Sequence, residues 1–293
     1  MQIQLDHVFY SYGKQRRNKP LPEPLVLADL ELMVERGEML AVAGKSGSGK
    51  STFLQLIKGF LAPSKGSLLL DGTDPRLNRK SERFDRVGFI FQYPEHQLFS
   101  TTVFDDIAFG LRSAKLSPEV VEARVHQAMQ AVGLDYEQFK DRSPFELSGG
   151  EKRRVAIAGV VVLEPEVMIL DEPTAGLDLQ SRTALFELLH AMNREQGITV
   201  IWVSHQLEEI LAHANRMIAL QAGRFIADGP PSILLSDPRL LDAFGWEEPP
   251  ALVVTRLLRE YGIVREDRPL TSEEAAEAII RYRQAKPLTE ASR

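Results

Sequence analysis

The chain has 293 residues, 44% hydrophobic and 26% charged, and its 35 Lys and Arg against 41 Asp and Glu leave a formal net charge of −6. That length can bury one large core, or one large and one small, and the acidic balance argues against nucleic acid as a main partner, because neutralising phosphates needs a basic face. Cysteine is absent, which excludes a disulfide framework and a thiolate metal centre and fits the cytosol.

The opening segment Met1–His7 lacks the basic start and apolar stretch of a signal peptide. The longest apolar run, Val155–Leu163, is far short of the ~18 residues that span a bilayer. Any membrane role is therefore expected to come through a partner. Residues 3–10 and 25–34 read as strands joined by a loop from Gly13 to Pro24, whose basic residues Lys14, Arg16, Arg17 and Lys19 read as a solvated hairpin loop, with contact to phosphate or lipid headgroups as the alternative.

Next comes a strand-length apolar run, Met39–Ala43, then Gly44-Lys45-Ser46-Gly47-Ser48-Gly49-Lys50-Ser51, then a helical segment from Thr52 to Ile57. The octapeptide fits the phosphate-loop pattern G-x-x-x-x-G-K-[S/T]. Glycines let the backbone turn its N–H groups around a polyphosphate, Lys50 supplies a point charge for the β- and γ-phosphates, and Ser51 offers a hydroxyl to Mg²⁺. A helix starting here aims the positive end of its dipole at the phosphates, and Thr52 is within reach of the α-phosphate.

Leu68–Leu70 with an Asp71-Gly72 turn and Val87–Phe91 read as further strands. From Ser117 to Gly133 the pattern is helical, with Pro118 in the first turn and Val121, Val125, Ala128 and Val132 on one face. Leu147-Ser148-Gly149-Gly150-Glu151 precedes a helical stretch from Lys152 to Val162; as a bare pattern Ser-Gly-Gly reads as a turn or helix N-cap, and its hydroxyl and backbone N–H groups at a helix start also make a second anion site.

Val167–Leu170 and Ile198–Val203 are continuous apolar runs, as two-sided burial requires, and end in Asp171-Glu172 and Ser204-His205. Ligands gather beyond the carboxyl ends of parallel strands, so Asp171, Glu172 and His205 are expected on the same sheet edge as the phosphate loop. There Asp171 can hold Mg²⁺ through water, and Glu172 can accept a proton from the water attacking the γ-phosphate. Past Gly229-Pro230-Pro231 the character changes to two amphipathic helices, near Pro250–Tyr261 and Thr271–Arg283, the second opening with a capping box at Thr271-Ser-Glu-Glu274. Two anion sites in one chain outnumber the single γ-phosphate of one nucleotide.

In order along the chain, Gly44–Ser51, Gln92, Leu147–Glu151, Val167–Glu172, Ala175-Gly-Leu-Asp178 and His205 resemble the ATP-binding subunits of ABC transporters over nearly all of residues 1 to 230. The resemblance implies an α/β fold: a P-loop NTPase core of ABC ATPase type with an N-terminal antiparallel β-subdomain and an inserted α-helical subdomain at about 93–160, all within 1–229. A small helical extension at 230–293 would follow. It also implies a head-to-tail dimer with a second ATPase subunit, in which each ATP meets the phosphate loop of one chain and Ser148-Gly149-Gly150 of the other.

By the same resemblance Gln92 contacts the metal or the attacking water and links the site to a transmembrane partner, His205 senses the γ-phosphate, and Asp178 sits at the dimer seam. Tyr12 is the choice for stacking on adenine, with Phe9 and Tyr10 as alternatives. Phe91-Gln-Tyr-Pro-Glu-His-Gln-Leu-Phe99, Thr102-Val103, Asp106–Gly110, Arg153–Gly159 and the C-terminal tail are similar to the ATPases of energy-coupling factor transporters. Those importers bring vitamins or transition-metal ions into prokaryotic cells, pairing two ATPase subunits, identical or paralogous, with a transmembrane coupling subunit and a substrate-specific membrane protein.

This implies ATP and Mg²⁺ as ligands and a place at the cytoplasmic face of the membrane. The ATPase of another ABC importer or exporter shares the same core and is the nearest alternative. A soluble ABC ATPase acting on DNA or ribosomes is disfavoured by net charge, a single cassette and the lack of sustained heptads. A non-hydrolysing scaffold is disfavoured by Glu172 and His205.

Overall fold

Nine strand segments occur among the described residues: β1 (Ile3–Tyr10), β2 (Leu27–Val34), β3 (Met39–Ala43), β4 (Lys65–Leu70), β5 (Val87–Ile90), β6 (Val167–Asp171), β7 (Thr199–Val203), β8 (Arg216–Gln221) and β9 (Arg224–Gly229). The computed structural model describes residues 1–13, 21, 23–77, 82–265 and 268–285. Lys14, Arg16, Arg17 and Lys19, expected in a solvated loop, lie outside the described residues.

Among the described residues the central sheet has the order β5-β6-β7-β3-β8-β9, parallel except for β9. Every residue of β3, β5 and β7 is buried, which is why these segments read as unbroken apolar runs. Alternation still sorts the side chains between the two faces. Met39, Ala41, Met168, Leu170, Val200 and Trp202 face one core, and Leu40, Val42, Val167, Ile169, Ile201 and Val203 face the other.

The second core is closed by a three-stranded antiparallel sheet, β2-β1-β4, and by helix α1 (Lys50–Lys58), which buries Phe53, Leu54, Leu56 and Ile57. β2 begins at Leu27 rather than residue 25, because the chain is still leaving the turn after Pro24; Val26 N–H already donates to the Tyr10 carbonyl at 2.9 Å.

The first core is covered by helices inserted between β5 and β6: α2 (Val103–Ala108), α3 (Pro118–Ala131), α4 (Tyr136–Phe139) and α5 (Gly149–Val161). Helices α6 (Leu179–Gln196) and α7 (Leu207–His213) join them. α5 starts at Gly149, three residues before the expected Lys152. Ser148 caps it: its Oγ accepts from Glu151 N–H at 3.4 Å, while Glu151 Oε2 accepts from Ser148 N–H at 2.8 Å. This reciprocal pair satisfies two otherwise orphaned donors and carries the helix back through both glycines.

After β9 come α8 (Pro231–Leu234), α9 (Pro238–Phe244), α10 (Pro250–Glu260) and α11 (Ser272–Ala285). Leu235, Leu240, Phe244 and Leu252 pack into the first core, whereas Leu258, Leu270 and Ala275 form a small cluster of their own. The expected capping box is present, with Glu274 N–H to Thr271 Oγ1 at 3.2 Å and Thr271 N–H to Glu274 Oε2 at 2.9 Å. No helix among the described residues is long and apolar enough to cross a membrane.

With so small a cluster, α11 depends on one buried hydroxyl. Thr255 Oγ1 accepts from Leu270 N–H at 2.9 Å and donates to the Ala251 carbonyl at 2.7 Å. Thr255→Val leaves the Leu270 N–H unpaired, and the free energy of opening α11 is expected to fall by about 1–3 kcal/mol. Hydrogen exchange checks this: α11 amides exchange faster while those of α1 are unchanged.

Candidate active site

Pairing registers bring four loops to one sheet edge. Val42 and Asp171 both stand opposite Val203, and Ile90 stands opposite Leu170. The strands therefore end level, and the segments that leave them, Gly44–Gly49, Gln92, Glu172 and Ser204-His205, emerge side by side.

The phosphate loop needs its glycines where the chain crowds itself. A Cβ on Gly44 would lie 2.3 Å from the Leu220 carbonyl oxygen, and one on Gly49, at φ +106°, 3.0 Å from that of Val26. Lys45, Ser46 and Gly47 are exposed, and Ser48 is buried with its Oγ unpaired among the described residues. Gly49 caps α1 without a side chain and the helix has no acid in its first turn, so its dipole end is left to an external anion. Lys50 folds back on the loop, donating to the carbonyls of Gly44 at 2.8 Å and Lys45 at 3.0 Å. Burial lowers its pKa, opposed by the charges of Glu172 and Asp171.

Alternation along β6 decides where the acids point. Val167 and Ile169 face α1, so Asp171 does too, and its carboxylate meets the Ser51 hydroxyl. Burial raises the Asp171 pKa, against the Ser51 hydrogen bond and the Lys50 charge, with Glu172 adding to the rise. A hydroxyl and a carboxylate in contact are a hard-oxygen pair of the kind Mg²⁺ takes.

Glu172 breaks from the strand. Its φ is +49°, while its N–H still donates to the Val203 carbonyl at 3.2 Å. The turn swings its carboxylate between two neighbours: Oε2 accepts from Gln92 Nε2 at 3.0 Å, and Oε1 lies 2.9 Å from His205 Nε2. Gln92, Glu172 and His205 are thus one hydrogen-bonded row. Left-handed backbone at a non-glycine costs on the order of 1–3 kcal/mol and gathers at working sites.

Residues 27–175 match the family model described as ABC transporter. The energy-coupling factor transporter ATP-binding protein EcfA2 of Clostridium tetani is 40% identical over 283 residues, 96% of this chain and 97% of that protein. EcfA2 of Symbiobacterium thermophilum is 44% identical over 256 residues, 86% and 88% of the two chains. Among solved structures, cbiO1 from Clostridium perfringens, titled part of the ABC transporter complex cbiONQ, superposes with a TM-score of 0.72 at 32% identity, covering 89% of this chain and 95% of that one. The cassette MJ0796, as a dimer bound to ADP and Pi, gives 0.65 at 26% identity over 78% and 98%.

The chain belongs to the energy-coupling factor ATP-binding proteins of the ABC transporter family. It is an ATP-binding, ATP-hydrolysing subunit, an ABC ATPase with the mixed α/β fold of that family.

Within this ABC ATPase the remaining expected residues separate into two groups. Tyr12, 62% exposed, places its hydroxyl 3.1 Å from Thr52 Oγ1 at the start of α1, whereas Tyr10 is 8% exposed in the core and Phe9 is half-buried beneath Lys65. Of the three aromatics, Tyr12 is the one that lies open beside the phosphate loop. Ser148-Gly149-Gly150 and Asp178 do not join the row. Ser148 contacts Glu151 of its own helix, and Asp178 caps α6 by accepting from Ser181 N–H at 2.8 Å, a bond that holds its pKa low.

Sequence reasoning missed the support behind Glu172 and His205. Glu209, buried on α7, accepts from Thr174 Oγ1 at 3.0 Å and Ser204 Oγ at 2.9 Å, and Arg182 Nη1 lies 3.8 Å from its other oxygen. Arg182 also donates to the Leu177 carbonyl at 2.9 Å and to Gln206. An acid four residues after His205, in the first turn of α7, was the available signal. Glu209→Ala leaves two hydroxyl donors without their acceptor and removes the carboxylate facing Arg182, and is expected to cost about 2–4 kcal/mol of stability. Urea denaturation measures it, and Glu209→Gln, which keeps an acceptor oxygen, should lose less.

Proposed function

We propose that the chain is one of two ATPase subunits, identical or paralogous, that pair head to tail and drive import of a vitamin or transition-metal ion. Import would run through a transmembrane coupling subunit and a substrate-specific membrane protein, with the ATPases at the cytoplasmic face. One observation carries this reading: the Glu172 carboxylate is held between Gln92 and His205, level with the phosphate loop, while Ser148-Gly149-Gly150 stands exposed and bonded elsewhere. An exposed hydroxyl-and-glycine helix start with no use in its own chain's row suits the phosphates of a second chain's ATP. The dimeric cassette bound to ADP and Pi and the cbiONQ component among the similar structures support pairing and a membrane complex.

In this scheme residues 1–229 form the ATPase domain, with the helices of about 93–160 as its helical subdomain, and 230–293 the extension. Lys50 and the N–H groups of Gly44–Gly49 bind the phosphates of ATP, and Thr52 reaches the α-phosphate. Tyr12 stacks on adenine. Ser51, Asp171 and the amide oxygen of Gln92 would hold Mg²⁺, which when bound offsets charge on the β- and γ-phosphates.

Glu172 accepts the proton of the attacking water, oriented from one side by Gln92. His205, released from Glu172, donates to the γ-phosphate, so the same imidazole reports whether the phosphate is present. Asp178 lies at the seam and couples the two sites. Closure on ATP and reopening on product release would pass to the coupling subunit through Gln92 and Tyr93–Phe99, where Tyr93 and Phe99 are exposed.

Glu172→Gln is expected to bind ATP with unchanged affinity, dimerise on ATP in size-exclusion chromatography, and hydrolyse about 10²–10⁴-fold more slowly. Turnover at the wild-type rate would overturn the base assignment. Tyr12→Ala should weaken ATP binding by about 1–3 kcal/mol while Tyr12→Phe does not, read by titration with a fluorescent ATP analogue.

A further inference from the structure

Helix α5 carries a side chain that this scheme leaves unused. Arg153 is 5% exposed, one turn beyond the glycines that open the helix. Its Nη2 donates to the Pro173 carbonyl and, at 3.5 Å, to that of Gln92, and its Nη1 donates to the Ala175 carbonyl at 3.2 Å.

These three carbonyls bracket Glu172. Pro173 and Ala175 follow it in the chain, and Gln92 is the residue whose amide holds its carboxylate. Glu95 faces the same guanidinium, Oε2 to Nη1 at 4.0 Å, and neither Glu95 Oε2 nor Arg153 Nε has a hydrogen-bond partner among the described residues.

Burying a cation against carbonyls is costly, and burial lowers the Arg153 pKa, partly offset by Glu95 and Tyr93. A planar fork spreads its donors over separate nitrogens and so reaches carbonyls of two loops at once, farther apart than the single nitrogen of a lysine spans. The fork thus ties loops that the chain itself separates by some 80 residues.

We propose that Arg153, oriented by Glu95, is the positioning residue that sets the Glu172 carboxylate, by fastening the loop on each side of it to the helix that begins at Ser148-Gly149-Gly150. A shift of that helix start then reaches the hydrolytic carboxylate through one guanidinium. The inference rests on Glu172 being the base for hydrolysis and adds how its placement is controlled.

The test uses the full chain and compares wild type, Arg153→Lys, Glu95→Gln, Gln92→Ala and the Arg153→Lys/Gln92→Ala pair by steady-state ATP hydrolysis, ATP affinity and thermal unfolding. Arg153→Lys should lower kcat about 10- to 100-fold, the scale of a small misplacement, with KM for ATP within about twofold. In the Gln92→Ala background the same substitution should cost less than about threefold, because both act on one carboxylate. Glu95→Gln, at a partly exposed position, should lower kcat several-fold in the same direction.

A folded Arg153→Lys protein with wild-type kcat overturns the inference. So does one whose loss is equal in both backgrounds, as a purely structural role requires. Where Arg153→Lys does not fold, Glu95→Gln decides, and a wild-type kcat there overturns it. If Glu172→Gln itself hydrolyses at the wild-type rate, the functional reading falls first; if Glu172→Gln is inactive and the Arg153 and Glu95 variants are unimpaired, only this inference does.

Discussion

The register of β6 between β5 and β7 is the constraint on which the site depends. Asp171 stands opposite Val203 and Leu170 opposite both Ile90 and Trp202. Because side chains alternate, a slip of one residue would send Leu170 toward α1 and Asp171 into the apolar core beneath the inserted helices. Two-sided burial holds the register: Met168 and Leu170 belong to one core, Val167 and Ile169 to the other. Trp202 and Phe53 are fully buried on opposite sides, and close-packed interiors resist the displacement of such large side chains that a slip would require. Hydrophobic packing that takes no part in chemistry therefore decides which carboxylate faces Ser51 and which is free to turn.

That turn concentrates charge where water is scarce. Lys50, Asp171 and Glu172 act on one another, and burial pushes the Lys50 and Asp171 pKa values toward neutral forms, while their mutual attraction pushes back. Interactions in such a setting are stronger than at an open surface. Glu172 is less enclosed and is controlled by hydrogen bonds, to Gln92 and His205 in front and through its N–H to Val203 behind. Holding a left-handed glutamate there requires supports on every side, and Glu209 and Arg153 supply them from two different helices.

How far the site was legible follows from the range of its contacts. The phosphate loop is local: its glycines, Lys50 and the following helix lie within one short stretch, and the level strand ends follow from apolar runs that announce a two-sided sheet. Ser148 was readable both as an anion site and as a helix cap, and in this chain its hydroxyl caps α5, moving the helix start to Gly149. The supports were not legible. Thr174 and Ser204 find Glu209, and Pro173, Ala175 and Gln92 find Arg153, only after β6, β7 and α5 are packed together, and nothing in residue spacing selects those partners. Tyr12 lay between these cases: three aromatics in four positions left the choice open until alternation along β1 buried Tyr10 and the strand end released Tyr12.

The C-terminal segment extends the same logic of borrowed support. Its change of character at Gly229-Pro230-Pro231 suggests a separate unit, yet α9 sends Leu240 and Phe244 into the first core. The Ala243 carbonyl at the end of that helix accepts from Lys45 Nζ at 3.2 Å and from Gln221 Nε2 at 3.4 Å. Lys45 is a phosphate-loop residue, so the loop is braced from outside the strand and helix that flank it. A carbonyl at a helix C-terminus carries partial negative charge and suits a lysine ammonium, whose attraction to it weakens as salt rises at an exposed position. Only from α10 onward does the chain build a cluster of its own, three buried side chains and the Thr255 hydroxyl, and this is too little apolar area to stand alone. The end of the chain is thus stabilised by the ATPase core at the very edge where the phosphate loop is held.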